Sequence, residues 1–138
     1  MNMKKIGWTL LALVSIVGLI GYYLYNKPVD SLENVKPSAT LSADSIFQLY
    51  EQNEIKSNGL YLNKVISVSG KIQNVLADTS GIAFTLQTSS GLFGVTCKMD
   101  EKNLVVSQYS EGQTVKIKGL CTGYLMDVIL VRSVIENN

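Results

Sequence analysis

The pattern of hydrophobic and polar positions begins with a long, mostly apolar run. Residues 6–25, IGWTLLALVSIVGLIGYYLY, contain no charged side chain. About 20 apolar residues make a helix long enough to cross the ~30 Å hydrocarbon core of a bilayer. Trp8 lies near one end of the run and Tyr22 and Tyr23 near the other, where aromatic rings favour the membrane interface. This pattern predicts a transmembrane helix in contact with the lipid bilayer.

The charges beside this run predict its direction. Lys4 and Lys5 precede it and only Lys27 follows closely. The positive-inside rule then places residues 1–5 in the cytoplasm and the C-terminal domain outside the plasma (inner) membrane. A cleaved signal peptide is the alternative, but its apolar part normally spans about 7–15 residues and ends at small residues. Because the bulky residues YYLYN close the run, we expect an uncleaved single-pass anchor.

A polar segment follows the apolar run. Residues 26–40, NKPVDSLENVKPSAT, contain both prolines and no sustained apolar period. A segment of this length reaches about 50 Å when it is extended. Its composition predicts a linker that holds a domain of residues 41–138 away from the membrane.

A helical pattern opens this domain. One stripe of this helix carries Ile46, Leu49, Tyr50 and Asn53. Ser42 is a favourable N-cap residue, and Gly59 is typical of a helix end. One helix is therefore predicted between these two residues.

The period then changes to two, which is typical of strands. Five segments show it or are continuously apolar: VISVSGKI, IAFTL, FGVTCKM, TVKIKGLC and DVILVRSVI. The positions predicted to face inward are Ile66, Val68, Gly70, Ile72, Ile82, Phe84, Leu86, Phe93, Val95, Cys97, Met99, Val115, Ile117, Gly119 and Cys121. The two glycines fit places where a barrel strand coils sharply. A short helix is predicted at 104–109, between the third and fourth strands.

The number and order of these strands predict the fold. Five short strands suit a closed barrel, because closure removes the exposed edges of an open sheet. A helix between the third and fourth strands follows the order of the OB-fold. The predicted fold is mainly β with a flanking helix, a five-stranded OB-fold barrel preceded by an N-terminal transmembrane helix.

Four segments carry a resemblance to a known family: SADSIFQLYEQNE, YLNKVISVSGKI, GVTCKM and GQTVKIKGLCTGYLMDVIL. They cover most of residues 42–131 and resemble the tRNA_anti-like family of bacterial OB-fold domains. The resemblance implies an envelope protein of unassigned role. Many members look like lipoproteins, whereas this chain has an apolar span instead. The family name records a fold similarity to anticodon-binding domains.

Charge and composition limit the classes of function that the domain is expected to have. From Leu41 onward the chain has eight Lys and Arg against nine Asp and Glu, a net charge of −1. A protein that neutralises a run of phosphates normally has a basic surplus. The chain contains no histidine, the usual proton shuttle and commonest metal ligand. Two carboxylate pairs, Glu51 with Glu54 and Asp100 with Glu101, lie in polar surroundings that indicate solvated side chains. We expect no catalysis, no metal and no cofactor.

Two cysteines, Cys97 and Cys121, lie at inward-facing positions of separate strands. Two thiols without histidine fall short of the four ligands of a structural zinc site, and apolar neighbours do not favour a nucleophile. An oxidising exterior would allow a disulfide, which would close a loop of about 24 residues and stabilise the domain by ~3 kcal/mol. Two buried thiols are the other interpretation, and both stay open at this point.

The candidate binding residues follow from the OB-fold, which binds ligands on its second and third strands and on the loops after its first and fourth strands. The predicted contacts are Thr85, Gln87, Thr96, Lys98 and Tyr124. The first four can hydrogen-bond a glycan or a peptide, whereas single-stranded nucleic acid usually needs several aromatic rings in a basic groove. Tyr124 offers one ring.

These patterns predict a membrane-anchored extracytoplasmic binding module without catalytic activity. Its expected partner is an envelope protein, a peptide or a glycan rather than a nucleic acid. The alternative function is binding of single-stranded, tRNA-like nucleic acid, which follows from the family name and from general OB-fold usage.

Overall fold

The computed structural model divides the chain into two compact units, Met1–Asp30 and Ser31–Asn138. It describes residues 3–25, 32–100 and 104–136. In the first unit, helix α1 extends over Met3–Tyr25. Among the described residues, no helix combines the length and apolar character that a membrane crossing requires. The membrane span at 6–25 stays a prediction.

The second unit contains two helices and six strands. In chain order they are β1 Ala39–Ser42, α2 Ala43–Gln52, α3 Glu54–Tyr61, β2 Val65–Asp78, β3 Gly81–Leu86, β4 Val95–Met99, β5 Thr114–Leu125 and β6 Asp127–Ile135. Two short 3-10 helices, Leu32–Asn34 and Val106–Gln108, precede β1 and β5.

Strands β2 to β6 form a closed ring. Residues 65–71 of β2 pair antiparallel with β5, and residues 72–78 pair antiparallel with β3. A register shift between Ile72 and Asn74 accompanies this change of partner. β3 then pairs with β4, β4 pairs in parallel with β6, and β6 returns to β5. A five-stranded closed barrel with helices fits the OB-fold, which confirms the predicted mainly β class.

The single helix predicted at the start of the domain is two helices. Asn53 separates them with an extended backbone, and its side chain accepts a 2.9 Å hydrogen bond from the N–H of Lys56. Asparagine is a strong N-cap residue, so α3 begins directly after it and Gly59 lies inside α3. Ser42 caps α2 as predicted, because its hydroxyl accepts from the N–H of Ser45 at 3.1 Å.

Two smaller predictions are also corrected. The short helix predicted at 104–109 is only the 3-10 turn Val106–Gln108, after which the backbone at Tyr109 is extended again. Phe93 was expected to face inward, but it precedes β4 and is 39% exposed. A 3.0 Å hydrogen bond from its N–H to the hydroxyl of Ser90 holds it in a turn, outside the strand alternation.

The chain from Leu32 onward packs on the barrel, within the segment that the sequence predicts to be a linker. Leu32 is 5% exposed. The ammonium group of Lys118 donates a 2.8 Å hydrogen bond to the carbonyl of Glu33. β1 then runs parallel to β2, with Ala39 opposite Ile66. Residues 26–31 lie outside the described residues.

Helix α2 closes one end of the barrel. The side chains of Ala43, Ile46, Phe47 and Tyr50 are at most 1% exposed. A Cβ atom added at Gly70 would lie 2.9 Å from the Cβ of Ala43, and one at Gly119 would lie 2.5 Å from the Oγ of Ser133. Both contacts are too close for a side chain. The two glycines predicted to face inward are therefore positions of close approach.

Candidate functional site

A groove of about 310 Å³ lies beside the turn between β2 and β3 and extends onto β4. Its apolar lining includes Leu76, Ile82 and Met99, and its charged lining includes Asp78 and Lys98. Leu76 is 56% exposed. The groove therefore combines accessible apolar surface with one carboxylate and one ammonium group.

The turn that borders the groove is held by its own hydrogen bonds. Asp78 accepts a hydrogen bond from the hydroxyl of Ser80 and one of 2.7 Å from the N–H of the same residue. These bonds hold the pKa of Asp78 below its ordinary value. Gly81 follows with φ of +132°, which favours glycine. The turn thus presents an ionised carboxylate in a fixed conformation.

Two of the five predicted contact residues, Thr96 and Lys98, line this groove. Lys98 is exposed, opposite Ala83 on β3. The hydroxyl of Thr96 donates a 3.0 Å hydrogen bond to Asp127, so this group already has a partner. Thr85 pairs with Thr96 across the two strands and is half-buried, but it does not line the groove.

Gln87 lies in a different place. It lines an open depression of about 300 Å³ together with Asp44, Lys71 and Ser89. The backbone N–H of Gln87 donates a 2.8 Å hydrogen bond to the carbonyl of Lys71, which brings the end of β3 onto β2. The structure does not unite Gln87 with the groove that contains Lys98.

Tyr124, the fifth predicted contact, belongs to the packing under α2. Its ring stacks on Tyr50 at a centroid distance of 5.7 Å and meets Phe47 edge-on at 5.9 Å. Burial raises the pKa of Tyr124, and the nearby carboxylates of Glu51 and Glu54 raise it further. The ring therefore has packing partners within the domain, and a ligand contact at Tyr124 stays a prediction.

The two cysteines are free, buried thiols. Cys97 on β4 and Cys121 on β5 are both in register with Leu130 on β6, which lies between those strands. Two inter-strand spacings of ~4.8 Å separate their Cα atoms by about 10 Å, beyond the 4.4–6.8 Å typical of a disulfide. Burial raises the pKa of Cys97. The hydroxyl of Tyr50 lies 3.4 Å from the Sγ of Cys121 in a buried hydrogen bond. The structure supports the buried-thiol interpretation.

Asp127 is a neighbour of the candidate groove that the sequence pattern did not reveal. Its carboxylate accepts hydrogen bonds from the N–H of Gly94 at 2.8 Å and from Thr96 at 3.0 Å. It thereby joins the hairpin between β5 and β6 to the start of β4. An Asp beside a turn is common in any hairpin, so the sequence carries no signal for this longer-range contact.

The carboxylates predicted to be solvated side chains are exposed where the structure describes them. Glu51, Glu54 and Asp100 are exposed, and Glu101 lies outside the described residues. No group of three or more His, Cys, Asp or Glu side chains that could hold a metal ion occurs within 3–25, 32–100 and 104–136.

Comparisons with known proteins place the domain in a family. No curated protein sequence matches the chain. A chain in the crystal structure of yeast Stn1 and Ten1 is similar at 13% sequence identity and a TM-score of 0.43, over 78% of this chain and 67% of that chain. The family model described as tRNA_anti-like matches residues 1–135. The chain therefore belongs to the tRNA_anti-like family, as its sequence resemblance predicted.

Proposed function

We propose that this protein is a membrane-anchored, extracytoplasmic OB-fold module that binds a peptide segment of an envelope partner and has no catalytic activity of its own. The observation that carries the proposal is the groove beside the β2–β3 turn. β3 and β4 are the second and third strands of the barrel, and the turn follows its first strand. OB-folds bind ligands at these strands and at this loop.

The lining of the groove supports a peptide rather than a nucleic acid. Leu76, Ile82 and Met99 can pack against an apolar side chain, and Lys98 can pair with a carboxylate. None of the residues that line the groove is aromatic, whereas single-stranded nucleic acid relies on stacked aromatic rings. The domain's net charge of −1 from Leu41 onward also lacks the basic surplus of a phosphate-binding surface.

The anchor and its direction rest on the sequence. The charge-free run at 6–25 and the lysines before it support a single-pass span with a cytoplasmic N-terminus. On this proposal, the lipid bilayer is the first partner. External protease should digest the domain in spheroplasts of cells that make the full chain, while digestion only after lysis would contradict the proposed direction.

Photo-cross-linking in living cells tests the groove. A benzophenone amino acid replaces Lys98 in one variant and Val105, exposed in the β4–β5 connection, in a matched control. We expect cross-links to an envelope protein from position 98 and few or none from 105. Equal yields at both positions would contradict a specific groove.

A second assay decides between peptide and nucleic acid. The full chain in nanodiscs is titrated with fluorescent oligothymidylate at low salt and then with added salt. We expect no binding. Binding that falls linearly as log salt rises would replace the peptide proposal with the nucleic-acid alternative.

A further inference from the structure

Four large apolar side chains project into solvent from two adjoining loops of the barrel. Leu92 and Phe93 lie in the β3–β4 loop and are 82% and 39% exposed. Leu125 and Met126 lie in the β5–β6 hairpin and are 76% and 62% exposed. We call these four residues the apolar tip. None of them lines the groove described above.

Hydrogen bonds fix the two loops to each other. The carboxylate of Asp127 accepts from the N–H of Gly94 at 2.8 Å, and the N–H of Val128 donates to the carbonyl of Gly94 at 3.0 Å. Within the β3–β4 loop, the carbonyl of Phe93 accepts from Ser90 at 2.6 Å. The apolar tip is thus held in place before any partner arrives, which lowers the entropy cost of binding.

Met126 is an unexpected residue for its backbone conformation. Its φ of +65° lies in the left-handed region, which costs a non-glycine residue about 1–2 kcal/mol and is better tolerated by Asn or Asp. Its side chain is 62% exposed, so burial in the core does not offset this cost. A large apolar residue that benefits neither the turn nor the core indicates a role in contact with another molecule.

Carboxylates border the apolar tip. Glu51 and Glu54 are exposed on α2 and α3 and act electrostatically on Tyr124, the residue before Leu125. Asp127 directly follows Met126 and adds a third carboxylate at the hairpin. An apolar centre with an acidic border is complementary to a segment that combines apolar and basic residues.

We propose that the apolar tip docks an apolar, basic segment of a partner protein. The acidic border disfavours a bilayer surface, because lipid headgroups of one leaflet are commonly anionic. It also disfavours a second copy of the chain, since a two-fold interface would bring like charges together. This surface is separate from the groove proposed for peptide binding, so either proposal can fail without the other.

A peptide selection tests the docking proposal. The full chain in nanodiscs selects from a phage-displayed library of random dodecapeptides, in parallel with a Leu125→Ser/Met126→Asn variant. Peptides recovered on the wild type should be rich in Lys or Arg together with Leu or Phe. They should bind the double variant about ten-fold more weakly. A Val105→Ser variant, which also removes an exposed apolar side chain, should bind them as the wild type does.

Two further measurements separate docking from structure. The single change Met126→Asn should raise Tm by about 2–5 °C because it relieves the backbone, while a structural methionine would give a lower Tm. Glu51→Gln with Glu54→Gln should weaken peptide binding at low salt, and the difference should disappear at about 0.5 M salt.

Several results would overturn the proposal. One is a set of selected peptides that is not enriched in basic and apolar residues. Another is that the selected peptides bind the wild type and the double variant equally well. Binding of anionic vesicles that the double variant loses would assign the surface to lipid. Dimerisation that the double variant loses would assign it to a second copy.

Discussion

The α2-capped end of the barrel and the groove along β3 and β4 use their side chains in opposite ways. Under α2, Phe47 and Tyr50 are each 1% exposed, and both contact the ring of Tyr124. In the groove, Leu76 is 56% exposed and Lys98 is exposed. Because buried contacts account for most large mutational losses of stability, we expect the capped end to stabilise the fold, whereas the side chains of the groove are accessible for the proposed binding.

Replacing Phe47 by Ala breaks the capped end most severely. The ring is almost wholly buried, and Phe→Ala in a core costs about 3–5 kcal/mol. We expect a loss of this size in the free energy of unfolding, measured by urea denaturation. Phe47→Leu should lose much less free energy of unfolding, because leucine fills most of the same volume. An equal loss in the two variants would contradict an effect of buried side-chain volume.

Replacing Tyr124 by Ala sharpens the comparison, because the sequence predicted a ligand contact at this position. The ring of Tyr124 pairs with those of Phe47 and Tyr50, and each such pair contributes about 0.5–1.5 kcal/mol. Together with the partial burial of the ring, this predicts that the free energy of unfolding falls by about 2 kcal/mol. Lys98→Ala is the matched control from the groove and should change stability by less than about 0.5 kcal/mol. Similar Tm values for the two variants would show that Tyr124 is not structural.

Replacing Asp127 by Ala tests the link between the β5–β6 hairpin and the start of β4, where Thr96 lines the groove. It leaves the N–H of Gly94 and the hydroxyl of Thr96 without their acceptor, and an unpaired buried donor costs about 1–3 kcal/mol. We expect a loss of 1 to 2 kcal/mol, measured by urea denaturation. Asp127→Asn, which keeps one acceptor oxygen, should recover part of it.

Acid should produce the smallest effect, at Glu136. Burial opposes its ionised form, but hydrogen bonds from Ser67 and Lys116 and the charge of Lys118 outweigh it and hold the pKa below its ordinary value of 4.5. The contribution of Glu136 to stability is therefore complete above that value and is lost as the pH falls through the lower folded pKa. Wild type should exceed Glu136→Gln in stability at pH 7, and the difference should shrink towards pH 3. A constant difference would contradict this linkage.

Strand positions were predictable because successive residues of a barrel strand alternate between its buried and its exposed face. The alternation of Ile82, Phe84 and Leu86 reports one buried face directly, and Gly70 marks a close approach that only a glycine allows. By contrast, the four residues of β1 are too few to establish a period. The break between α2 and α3 depends on the N-cap at Asn53. The stripe of side chains on its own predicts one continuous helix and gives no sign of this cap.

The candidate groove was harder to predict than the barrel. The alternation of exposed positions along β3 and β4 selected Thr96 and Lys98, which line the groove, but it does not show whether a hydroxyl already has a partner. Tyr124 lies after a register shift between Cys121 and Gly123, and its ring packs on Phe47 and Tyr50 of α2. The contact between this ring and α2 joins residues that are far apart in the chain, so a local period along β5 does not reveal it.

Methyl NMR of the full chain in nanodiscs tests the central claim, that the groove recognises a partner and the capped end does not. The probe is a pool of random hexapeptides rich in acidic and apolar residues. The claim predicts shifts of the Ile82 and Met99 methyl signals, which belong to the groove, and an unchanged signal from Ile46 under α2. Shifts at Ile46 alone, or no shift at any of the three at saturating peptide, would contradict it.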